Sequence, residues 1–123
     1  MLNGYTVQIL ACQGDAGAQT VTITFMVEHP LANQSLTLHS KDTRAYAQGL
    51  DYTNTDRFVG SRANTNMVPT EIPMECRLVI RNVVPSVKSF DSVTLNMKTH
   101  NKDGGKGDQK CTLELRKLAI NWE

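Results

Sequence analysis

Long apolar runs are missing from this sequence. No stretch approaches the roughly 20 apolar residues that a spanning helix needs, so a helical membrane crossing is not expected. The amino terminus likewise shows no charged segment leading into an apolar core and a cleavage site. A native cytosolic start and an export signal already removed both fit Met1, Leu2, Asn3 and Gly4. An excess of one charge is missing too. The 13 Lys and Arg nearly cancel the 12 Asp and Glu, leaving +1, too weak a field to gather nucleic acid, anionic lipid or acidic substrates. Cysteine is sparse: Cys12, Cys76 and Cys111 form neither a C-x-x-C pair nor the dense framework of a disulfide scaffold. At most one internal bridge can form, and small buried side chains on strands are the expected role. Internal repeats, low-complexity tracts and the 3.6-residue apolar period of a helix are also lacking.

What the sequence does have is period-two alternation, the mark of a strand with one buried face. From Met74 to Met97 it reads strand, corner, strand. Cys76, Leu78 and Ile80 share one parity, Val83, Val84 and Pro85 interrupt, and Val93, Leu95 and Met97 resume. Such an arrangement predicts a chain passing from one sheet to another. Thr20 to Glu28 is the clearest strand, with Val21, Ile23, Phe25 and Val27 inward. Tyr5 to Gln13 predicts a first strand that loses its pattern at Leu10, as a bulge would make it do. Ser35 to Ser40 predicts another, with Leu36 and Leu38 inward. Asp42 to Tyr52 follows as a short hairpin turning near Gln48-Gly49, with a helix as the alternative for Thr43 to Gln48. Thr53 to Thr65 is polar and predicts a long surface excursion holding at most a brief edge strand. Pro69 and Pro73 predict an extended, stiff approach to the next strand. His100 to Asp108 predicts a hairpin connection. Lys110 to Trp122 changes its buried parity near Arg116-Lys117, which requires a bulge or a new partner. The 123 residues are expected to form one domain, residues 1–123. Its expected class is all-β, two packed antiparallel sheets of about seven strands, with a barrel second.

Four segments carry the resemblance of this chain to a known group. They are Thr20 to His29, Pro69 to Val84, Ser89 to Leu95, and Thr112 to Trp122 with its Leu-Arg-Lys-Leu-Ala-Ile-Asn-Trp ending. Their order of features resembles immunoglobulin-like sandwich modules of unknown function in bacterial, Bacteroidetes-type envelope and secreted proteins. A Pro-containing lead (Pro69, Pro73), an alternating strand and an Asn-Val-Val-Pro corner (Asn82 to Pro85) recur there. The resemblance implies a periplasmic, surface or secreted setting and brings no catalytic residues; a cytoplasmic location is the alternative. This chain departs from the lipoprotein pattern in having no cysteine near its start behind an apolar segment. It departs from antibody domains in that Trp122 lies beyond all three cysteines.

No arrangement of residue types predicts catalysis. His29, His39 and His100 lie in separate segments without metal-ligand spacing and are expected at the surface. Cys76 and Cys111 share the inward parity of Leu78 and Leu113, which suits structural thiols better than nucleophiles. Asp51, Asn54 and Asp56, and likewise Asp103 and Asp108, lack the order of a calcium loop. Gly104-Gly105-Lys106-Gly107 lacks the order of a phosphate loop. No cofactor or metal is therefore expected. The function expected is a non-enzymatic interaction or scaffold module whose loops or an open sheet edge meet a protein or glycan partner, with the loops Tyr52 to Asn66 and His100 to Asp108 the first place to look. The alternative is a carbohydrate-binding module in which Tyr46, Tyr52 and Phe58 form a stacking platform. A small metal-dependent enzyme comes third.

Overall fold

The computed structural model describes residues 4–31, 33–101 and 108–122. The strands are β1 (Thr6–Asp15), β2 (Thr20–Glu28), β3 (Gln34–Ala47), β4 (Leu50–Tyr52), β5 (Thr55–Val59), β6 (Arg62–Ala63), β7 (Thr65–Val68), β8 (Met74–Arg81), β9 (Ser89–Asn101), β10 (Asp108–Ala119) and β11 (Asn121–Trp122). One sheet has the order β11-β1-β2-β8-β5-β6; the other has β10-β9-β3-β4, with β7 also pairing β3. Within these, β1-β2-β8-β5 faces β10-β9-β3, the order of an immunoglobulin-like antiparallel sandwich. Six of these seven follow the alternation read in the sequence, β5 being the exception, and β4, β6, β7 and β11 are short additions.

Alternation becomes a core because both sheets turn their apolar parity inward. Val21, Ile23, Phe25 and Val27 of β2 and Cys76, Leu78 and Ile80 of β8 are buried, and they meet Leu36, Leu38, Val93, Leu95 and Met97 from the other sheet. Burying an aliphatic or aromatic side chain of this size contributes about 1.5–3 kcal/mol, so this layer dominates the stability. The corner between β8 and β9 carries the chain across the sandwich. Val83 and Val87 plug the interior there, while Val84 faces solvent.

Where parity switches in the sequence, the backbone inserts a residue. In β1, Ile9 pairs with Phe25 and Ala11 with Thr24, leaving Leu10 as the extra residue, pushed outward. The bulge keeps Val7, Ile9 and Cys12 all inward. In β3 the register against β9 slips between His39 and Arg44, and Asp42 adopts φ 63°. Two segments read as separate strands are thus one strand with a kink. Thr43 pins the kink by donating to the His39 carbonyl at 2.5 Å and accepting from the Asn96 amide at 3.0 Å. The β3–β4 hairpin turns at Gln48-Gly49 as expected, with φ 54° and 80°, the twist that suits two-residue hairpins.

Two expectations are corrected. Thr53 to Thr65 is no mere surface excursion, because β5 pairs along β8 from Thr55↔Ile80 to Val59↔Cys76, and Val59 is fully buried. With few apolar residues, its alternation was too faint to read, and the β8 edge recruits it. The Pro69 to Pro73 lead is not a straight extended approach either. It folds through Glu71 at φ 59°, whose amide donates to the His29 carbonyl at 2.8 Å.

At the carboxyl end, Lys117 at φ 52° drops out of the β10–β9 ladder while the register continues on both sides. The change of partner comes just after: β11 leaves that sheet and runs parallel to β1, Gln13 opposite Asn121. The Trp122 indole N–H donates to the Val87 carbonyl at 2.7 Å, and its ring lies over Gly14. A Cβ on Gly14 would sit 2.3 Å from that ring, so only a hydrogen fits there.

Candidate functional site

The three candidate aromatics do not assemble. Tyr46 stands outward on β3, 40% exposed. Tyr52 pairs with Ala45, whose side chain is core, so it lies on the opposite face and packs edge-on to Phe90, ring centroids 6.1 Å apart. Phe58 belongs to the other sheet, on its outer face, with the Arg77 guanidinium 4.7 Å above its ring. The rings occupy three different surfaces, and a single stacking platform is not built. Period-two parity together with the two-residue turn at Gln48-Gly49 separates Tyr46 from Tyr52, whereas the placement of Phe58 depended on a strand the sequence hid.

His29 corrects the expectation of surface histidines. It is buried, its Nδ1 accepts from the Leu31 amide at 3.2 Å, and its Nε2 lies 2.8 Å from the Val68 carbonyl. Because Nδ1 accepts, Nε2 carries the proton and donates, so the ring is a neutral brace between loop and strand. Tyr5 tilts against it, centroids 4.7 Å apart. The Tyr5 hydroxyl and Gln34 Oε1 are buried without a hydrogen-bond partner among the described residues. Burial pushes the Tyr5 phenol well above its usual range.

The thiols are poorly placed to ionise. Burial pushes Cys12 up to about 11 and Cys76 to about 12, and raises half-buried Cys111 as well. All three are unpaired thiols. Asp56 is committed to an ion pair with Arg81. Among the described residues no group of three or more His, Cys, Asp or Glu side chains converges on a common point. Gly104 to Gly107 and Asp103 lie outside the described residues. Of the two predicted recognition loops, Tyr52 to Asn66 is largely tied into β5, β6 and β7, and most of His100 to Asp108 lies outside the described residues.

The surface that remains open is a strand edge. β10 is the outermost strand of its sheet and, among the described residues, pairs on one side only, with β9. Its inward residues Cys111, Leu113 and Leu115 are half-buried, unlike Val93, Leu95 and Met97 next to them. A small apolar cavity of about 10 Å³ lies behind Leu113 and Leu115, against Phe25 and Leu95. Lys110, Thr112, Glu114 and Arg116 face outward and are exposed, and Glu114 is ion-paired with Arg116. Across the seam, Val7 and Ile9 of β1 are also half-buried, and β11 covers β1 only at Gln13 and Gly14. The sequence carried one hint of this, charged residues at alternate positions of a strand, a common feature of sheet edges.

No family model matches the chain, and no curated protein matches it. Among solved structures it is similar to an ASH/PapD-like domain of human CEP192 (PapD-like domain 7), with TM-score 0.53 and 9% identity over 95% of this chain and 87% of that one. A FixG-related protein from Vibrio parahaemolyticus aligns at TM-score 0.45 and 12% identity, over 94% and 97% of the two chains. A conjugative transposon lipoprotein from Bacteroides eggerthii aligns at 0.35 and 9%, over 92% and 97%. Likeness at this identity speaks to the fold alone, and the first of these agrees with the immunoglobulin-like sandwich traced above.

Proposed function

We propose that this protein is a non-enzymatic interaction module that recognises an extended segment of a protein along the free edge of β10. One observation carries the reading: a long strand whose outer side pairs with no other strand among the described residues, backed by half-buried Cys111, Leu113 and Leu115. An added strand gains affinity from backbone hydrogen bonds and selectivity from alternate side chains lying over such residues. The raised thiols and the scattered histidines support binding over catalysis. The envelope setting belongs to the same proposal and rests on the residues that carry the sequence resemblance, Pro69 to Pro85 above all. Fractionation of the native host would test it, and a cytosolic pool would remove it.

Selection from a random peptide display library tests the binding reading. The expected winners alternate apolar and polar residues over six or so positions. Leu113→Lys should abolish their binding, while Tyr46→Ala and Phe58→Ala should retain it. Winners that depend on Tyr46 or Phe58, or that ignore Leu113, would overturn the proposal and favour the aromatic surfaces.

A further inference from the structure

The β10 edge is complementary to itself, and we propose that its partner is a second copy of this chain, joined antiparallel about a two-fold axis at Thr112. This rests on the reading that β10 is a recognition edge and adds the identity of the occupant. A two-fold contact between identical strands pairs residue i with a residue at a fixed sum of numbers, and the charges choose among the sums. With Thr112 opposite itself, Lys110 of each copy faces Glu114 of the other, giving two opposite-charge pairs. Centring one residue later, on Leu113, would set Lys110 against Arg116. Centring on Glu114 would set that carboxylate against its own copy. Like charges directly opposite destabilise a ladder, so Thr112 is favoured over those two centres; centring on Leu115 would pair Glu114 with Arg116, but it would carry the contact across Lys117, where φ is 52°.

Backbone geometry points to the same centre. Lys117 at φ 52° ends the regular outer edge, so the uninterrupted stretch runs over 108–116, and its midpoint is residue 112. On the inner face the same register lays Leu113 of each copy beside Cys111 of the other, extending cover over the half-buried side chains of the seam. Lys110 and Arg116 also explain why such an edge does not pair in every register: charge repulsion rejects the slips that would let it aggregate.

The test is sedimentation equilibrium of the full chain and three variants. The wild type is expected to dimerise reversibly. Lys110→Glu and Glu114→Lys should each weaken the dimer by about tenfold, since every substitution alters two symmetric pairs. Mixing the two single variants should restore association, because each copy then meets only opposite charges, and the double variant K110E/E114K should dimerise like the wild type. A wild type that stays monomeric up to millimolar concentration overturns the proposal, and so does a dimer indifferent to both single changes or not restored by mixing. Should the chain stay monomeric while selected peptides still bind in a Leu113-dependent way, the second copy is excluded and the edge keeps a different occupant. Loss of both removes the edge reading itself.

Discussion

The two flanks of the sandwich end differently. On the far flank the sheets finish in β6, two residues long, and in β4 and β7, three and four residues long, which divide the outer side of β3 between them. On the near flank β10 runs twelve residues with one neighbour among the described residues. Short, interrupted edges offer a passing strand too few backbone groups to hold, whereas a long edge offers a template. The polar composition shared by both flanks does not decide which one can accept a further strand; continuity of backbone left unpaired among the described residues does.

The largest expected effect lies away from both flanks. Leu78→Ala, at a side chain 1% exposed between β2 and β5, should cost about 2–5 kcal/mol in denaturant unfolding. Leu113→Ala on the near flank should cost distinctly less, since that side chain is half-buried and already borders a cavity. Equal costs would mean that the near flank is as closed as the interior.

Next comes the point where the near flank is closed. Gly14→Ala should cost about 1–3 kcal/mol by displacing Trp122. Because Trp122 is the single tryptophan, its fluorescence should shift as the ring leaves its place. An unchanged spectrum would show that β11 can adjust at no cost.

Thiol chemistry sharpens the same contrast. Cys111, on the open flank, should react with a thiol reagent in the native state, while Cys12 and Cys76 should react only on unfolding. Burial raises Cys76 from an ordinary 9.0 to about 12, so the folded chain holds that proton more tightly than the unfolded chain. Its contribution to stability is complete below pH 9.0 and is lost as the pH climbs toward about 12, and Cys12 adds the same sense up to about 11. Denaturation midpoints should therefore fall above pH 9, less steeply in Cys76→Ala. Smallest of all, Tyr5→Phe should change stability by less than about 1 kcal/mol, because the hydroxyl it removes has no partner among the described residues.

Much of the fold was legible in the sequence, and the reason is parity. β2, β8 and β9 bury one side chain in two, and their boundaries and inward residues follow from that alone. The bulge at Leu10 was readable because parity visibly failed there. β5 was not, since Thr55 and Val59 supply only one apolar inward residue and their burial is decided by β8. His29 was misplaced because its burial depends on acceptor and donor groups brought from Leu31 and Val68. An open sheet edge could be foreseen, but not which one: that Lys110 to Arg116 form a strand can be read from its residues, whereas the lack of a partner on its outer side among the described residues is a property of topology.

Amide hydrogen exchange, resolved residue by residue by NMR with and without an excess of a selected extended peptide, tests the central claim most directly. In a solution dilute enough to keep the chain monomeric, alternate amides from Lys110 to Arg116 should exchange quickly alone and slow markedly with peptide, while those of β8 stay protected throughout. Exchange along β10 that is already as slow as in β8, or that does not change when peptide binds, would contradict it.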